Sequence, residues 1–169
     1  NLGQVVGASQ TKSREWHAFL YSNGSMQDLG TLGGDWSKAY GINNLGQVVG
    51  ESKTKSGERH AFLYSNGSMQ DLGTLGGDWS IAHKINDRGQ IVGMVSHPTA
   101  KIGWSEHAFL YSDGIMWDLN DLVSPASEWQ FIIWESTINN AGQIATTGVS
   151  SRGLSRAFLL IPISPSPIS

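Results

Sequence analysis

The chain repeats itself. Residues 1–43 and 44–86 are near copies, with GQVVG, HAFLYSNGSMQDLGTLGGDWS and a closing Ile-Asn in the same register. A looser copy spans 87–139, with GQIVG and HAFLYSDGIMWDL. A fourth opens at Asn140 with GQIATTG and runs to 161 through RAFLLI. A period of roughly 40–50 residues restricts the fold to a propeller, a solenoid or an array, because one such unit cannot bury its apolar faces alone. The repetition also sorts residues by role. Positions present in every copy build the unit, and positions that differ are where a particular ligand is read.

The pattern within a copy is β throughout. In the second copy it predicts strand a at 40–43, strand b at 47–52, strand c at 59–65 and strand d at 68–72. Asn44-Leu45-Gly46 reads as the a–b turn, and Asn66-Gly67 is a strong two-residue hairpin signal. A polar loop at 53–58 joins b to c, and GTLGGDWS joins d to the next strand a, at 81–85. Successive strand residues point to opposite faces. In strand c, Phe62 and Tyr64 take one face, and Ala61 and Leu63 the other. Both faces are apolar, so a sheet must cover each.

The expected fold is therefore all-β, a β-propeller-like array of four-stranded antiparallel blades. A β-solenoid or open stacked array, and a sandwich, are the alternatives. Successive copies show three, four, four and three strands. The first lacks strand a and the last lacks strand d, which suggests about three and a half to four blades of a larger propeller. The Pro/Ser-rich tail at 162–169 reads as an extended segment or an edge strand. Insertions fall in the b–c loop of the third copy (HPTAKIGW) and in its d–a connection (NDLVSPASEW onward).

Composition excludes several functions. Net charge is −3, and the cations are scattered among acids, so no basic patch offsets nucleic-acid phosphates. Cysteine is absent, which removes disulfides and thiolate chemistry. No apolar run is long enough to be a transmembrane helix.

The recurring string, Ile-Asn-Asn-x-Gly-Gln followed by HAFLYSNGSMQDLGTLGG, resembles the HAF-repeat family of bacterial proteins. The name reflects His17-Ala18-Phe19, His60-Ala61-Phe62 and His107-Ala108-Phe109. The likeness covers nearly the whole chain and includes the ending, DLNDLVSPASEW, INNAGQI and RAFLL followed by Ile-Pro. Arg156 stands where His is expected, and Ala145-Thr146-Thr147 departs from the pattern. The resemblance implies export to an extracellular or periplasmic location and a propeller-like fold. It implies no established activity and no cofactor.

The recurring polar residues read as structural. His17, His60 and His107 stand one per copy, too far apart to converge on a metal ion, and an imidazole bonded to a neighbouring loop explains them. Asp28, Asp71 and Asp118 read as turn caps. No catalytic motif stands out. The long b–c and d–a loops share one end of an up-and-down blade and hold the insertions and most of the tryptophans. That end is the candidate binding face of a non-enzymatic scaffold for a protein partner, a glycan or a matrix component. Its anchors are Trp16, Trp36, Trp79 and Trp104, with Lys53, Arg59, Lys101 and Glu106 as polar partners. Trp129 reads as the counterpart of Trp36 and Trp79 in the d–a connection. The unpaired edges of the first and last copies invite pairing with upstream blades or another chain. The competing readings are a propeller enzyme using Tyr40, His83 and Glu135 at an axial channel, and a purely structural subunit of a larger assembly.

Overall fold

The computed structural model describes residues 3–96, 106–123, 129–132 (main chain only), 136–150 and 152–163. Its strands follow the repeat. The first sheet contains β1 (Val5–Gln10), β2 (Trp16–Ser22) and β3 (Ser25–Asp28). The second contains β4 (Gly33–Ile42), β5 (Val48–Thr54), β6 (Arg59–Ser65) and β7 (Ser68–Asp71). The third contains β8 (Ser80–Ile85), β9 (Ile91–Ser96), β10 (Glu106–Ser112) and β11 (Ile115–Asp118). The fourth contains β12 (Trp129–Ile132), β13 (Thr137–Ile138), β14 (Ile144–Ser150) and β15 (Ser155–Leu160). The second and third sheets are antiparallel meanders in the order a-b-c-d. A single parallel pair, Trp16 with Trp36, links the first sheet to the second. The equivalent bridge, Arg59 with Trp79, links the second to the third.

The structure moves several boundaries. Strand a of the second sheet starts at Gly33, not at residue 40, because the GGDWS segment continues along β5 past a bulge. Lys53 lies in strand b rather than in a loop. Trp16 and Arg59 open strand c, opposite Gln10 and Lys53 respectively. In the fourth sheet, β12 and β13 both pair with β14, whose other edge takes β15, so strand a comes in two pieces there. A short helix, α1 (Leu119–Leu122), follows β11 and is capped by Asp118, which accepts from the Asn120 N–H at 2.8 Å.

Stacking is visible in the core. Phe62 and Tyr64 on one face of β6 pack with Ala18, Leu29, Ala39 and Val48, between the first and second sheets. Ala61 and Leu63 on the other face pack with Val49, Ala82, Ile91 and Phe109, between the second and third. A third cluster, around Val92, Ala108, Leu119 and Ile144, joins the third sheet to the fourth. Strand c is therefore covered on both faces, as its alternating apolar residues require.

Repeated polar latches fix one sheet to the next. The Ser37 hydroxyl accepts from Ala18 N–H (2.8 Å) and donates to the Gly30 carbonyl (2.5 Å). Ser80 repeats this with Ala61 N–H (2.7 Å) and the Gly73 carbonyl (2.5 Å). At the a–b turns, Asn43 donates to the Asn86 carbonyl and Asn86 to the Asn139 carbonyl, each at 3.0 Å. Two glycine roles are explicit. Asn66 and Gly67 both have positive φ (53° and 81°), as a type I′ hairpin turn demands. Gly50 closes the GQVVG motif beneath the β4 bulge, where any Cβ would collide with the Lys38 carbonyl.

Candidate functional site

The recurring histidines and acids are spent on each other. His17 Nδ1 lies 3.0 Å from both carboxylate oxygens of Asp28. His60 meets Asp71 at 2.8 Å, and His107 meets Asp118 at 2.5 Å. Each imidazole thus bonds the acid on strand d of its own sheet, not a neighbouring loop. Asp28 and Asp71 also accept from the N–H groups of Gly30 and Gly73, at 2.8 Å each, which fixes where the connection to the next sheet begins. Burial raises the Asp118 pKa, but hydrogen bonds from His107 and Asn120 outweigh it and leave the carboxyl below its usual range. Among the described residues no three His, Asp or Glu side chains are placed to hold a metal ion.

The differences between copies behave otherwise. The first two copies differ only at the pairs Ala8/Glu51, Gln10/Lys53, Arg14/Gly57, Trp16/Arg59, Lys38/Ile81, Tyr40/His83 and Gly41/Lys84. Arg14, Trp16, Lys53 and Arg59, drawn from this set, line one cleft of about 520 Å³ with Glu15, Asp35 and Trp36. Lys38, Tyr40, Glu51 and His83 form a polar cluster joined to it through Arg59.

The cleft lies where the first sheet meets the second. Trp16 and Trp36 are register partners on parallel strands, so their indoles project to the same side. Trp16 is 47% exposed. Lys53 Nζ lies 3.1 Å from Asp35, and this bond, more than the charge itself, holds the Asp35 carboxyl below its ordinary pKa. Arg59 Nε lies 3.1 Å from Glu51 Oε2, and its guanidinium sits over the Trp79 ring, 5.0 Å from the centroid. Glu51 is only 3% exposed, and the Tyr40 hydroxyl donates to its other oxygen. Tyr40 stacks on His83 with centroids 5.7 Å apart, and Lys38 Nζ lies 4.9 Å from the Tyr40 ring. Desolvation first, then the bond to the Glu51 carboxylate, pushes the Tyr40 phenol well above its usual pKa.

Of the eight residues expected at a binding face, the structure brings Trp16, Trp36, Lys53 and Arg59 into this cleft. Trp79 stands beside it under Arg59. Glu106, the repeat equivalent of Trp16, opens β10 on the third sheet and does not line it. Trp104 and Lys101 lie outside the described residues, as do Trp134, Glu135 and the Trp129 side chain. Sequence reasoning passed over Arg14, Glu15, Asp35 and Glu51. Glu51 did carry a signal, because the copies have Ala8 and Met94 at its position.

No protein-family model matches the chain, and no curated protein does. Among solved structures it is similar to the crystal structure of TolB from Acinetobacter baumannii, with a TM-score of 0.59 and 14% identity. The match covers 92% of this chain and 37% of the TolB chain, so the chain spans little more than a third of that protein's length. TolB contains a β-propeller, and the likeness extends to the fold alone.

Proposed function

We propose that this protein is a non-enzymatic, exported β-propeller scaffold of the HAF-repeat type. It binds a protein partner, a glycan or a matrix component at the end of the blades where b meets c and d meets the next a. One observation carries the reading. In two otherwise identical copies, eight of the departing side chains, from Arg14 to His83, gather in or behind a single cleft. Stacking does not require them, since each sheet folds with either residue of a pair. Export rests on the family resemblance, and no helix among the described residues is long and apolar enough to cross a membrane. The test is a screen of the immobilised chain against glycans and matrix proteins, repeated with Trp16→Ala. Loss of a ligand with melting unchanged supports the reading. Ligands that bind equally well to both forms refute it.

The enzyme alternative has its own observation. Tyr40 and His83, half-buried on adjacent strands a, stack on each other, and the Tyr40 hydroxyl donates to the buried Glu51 carboxylate of β5. A hydrolase or lyase activity abolished by both Tyr40→Phe and Glu51→Gln would favour it over the scaffold.

A further inference from the structure

Resting on the reading of the cleft as a binding site, we infer that its ligand class is a neutral glycan, held with a pyranose ring against Trp16 and Trp36. Three features of the cleft lead there. First, a cleft of about 520 Å³ suits a ligand of a few sugar units, whereas protein partners use broader surfaces. Second, its lining is aromatic and charged, with no aliphatic side chain. The centre of a protein interface is apolar and depleted in charge. Indole faces beside hydrogen-bonding groups match a molecule with C–H faces and a hydroxyl rim. Third, its charges are balanced. Lys53 is held by Asp35 and Arg59 by Glu51, each at 3.1 Å, and Arg14 and Glu15 add one charge of each sign to the lining. An anionic ligand meets Asp35 and Glu15, and a cationic one meets Arg14, Lys53 and Arg59. A polyol uses groups of both signs in the lining, because Glu15 and Asp35 accept from its hydroxyls and Arg14, Lys53 and Arg59 donate to them.

Arg59 is the ordered member of this set. Glu51 occupies a position that holds alanine in the first copy and methionine in the third. Burying a carboxylate there costs desolvation that packing does not require. Its effect is to fix Arg59 Nε from beneath while Trp79 supports the guanidinium plane. The ion pair and the indole hold the guanidinium in place before a ligand arrives, which lowers the entropy cost of binding.

The repeat supplies substitutions that the fold already accepts. Trp16→Arg installs the second copy's residue, and Lys53→Gln installs the first copy's. The probes are maltotriose, cellotriose and chitotriose, followed by calorimetry and by quenching of tryptophan fluorescence. Trigalacturonate and a hexaglutamate peptide serve as anionic comparators. At least one neutral trisaccharide is expected to bind and to quench. Trp16→Arg is expected to weaken it about 10-fold or more, as loss of an aromatic anchor does. Lys53→Gln, which keeps a donor and an acceptor, is expected to change affinity by about 3-fold or less, and raising NaCl from about 50 to about 500 mM by less than about 2-fold. Binding of none of the neutral sugars overturns the inference. So does a preference for trigalacturonate that salt and Lys53→Gln abolish, which assigns an acidic glycan. Hexaglutamate binding that Trp16→Arg removes, without sugar binding, assigns a protein partner and leaves the cleft itself standing as a site. Sugar binding that Trp16→Arg leaves intact shows that the cleft is not where the ligand sits.

Discussion

The junction between the first and second sheets and that between the second and third share one latch and present different faces. Ser37 bonds Ala18 in one, and Ser80 bonds Ala61 in the other, with lengths within 0.1 Å. Above that latch the first junction pairs Trp16 with Trp36, and the second sets Arg59 over Trp79. An indole and a guanidinium thus occupy equivalent backbone sites without altering the pairing below. Cohesion and surface chemistry are carried by separate residues, so one can vary while the other is held.

The largest expected effect tests the shared part. Phe62 is fully buried between two sheets, and Phe62→Ala is expected to cost about 3–5 kcal/mol in denaturant unfolding. Phe19→Ala, at the equivalent but half-buried position of β2, should cost clearly less. Equal losses would break the view that stacking on both faces sets the cost. Next come the latches. Ser37→Ala and Ser80→Ala each strand a buried N–H, and each is expected to cost about 1–3 kcal/mol. A large disparity between them would show that the two junctions are not equivalent.

The variable set is tested by titration. In an ultraviolet pH titration Tyr40 should ionise above the usual phenol range, and Glu51→Ala should bring its midpoint down. A phenol raised in the folded state stabilises fully below its unfolded value of about 10. That contribution disappears as pH rises through the folded value. Tyr40→Phe should therefore flatten the alkaline loss of stability, and an unchanged alkaline limb would refute the assignment. The smallest effect lies at the a–b turns. There Asp87 accepts from the Asn44 N–H and side chain and from the Asn140 side chain, which together lower its pKa. Its contribution is present above the ordinary carboxylate range and is lost as pH falls through the lowered value. Asp87→Asn, which restores the residue of the neighbouring copies, should reduce the difference in melting temperature between neutral and acid pH. An identical acid response in both forms would count against the ladder.

Much of the fold was legible because it repeats. Strand c of the second copy begins and ends where alternation and Asn66-Gly67 place it, at Arg59 and Ser65. Strand a was not legible in GTLGGDWS, because glycine and aspartate there read as a turn. Only pairing with β5 across a bulge makes the segment a strand. The split into β12 and β13 and the short α1 were hidden for a similar reason, inside an insertion with no counterpart to compare.

The sequence by itself determined that this is a stacked β-repeat protein, since period and two-faced apolar strands are local properties written in residue order. It also marked which positions depart from the repeat. Only the tertiary structure decided that the departures meet. Trp16 and Trp36 belong to different sheets, and so do Tyr40 and His83, so their proximity follows from how one sheet docks on the next. Glu51 shows the division most plainly. Its position in the copy identifies it as an exception, and the burial that sets it beneath Arg59 exists only once the sheets have stacked.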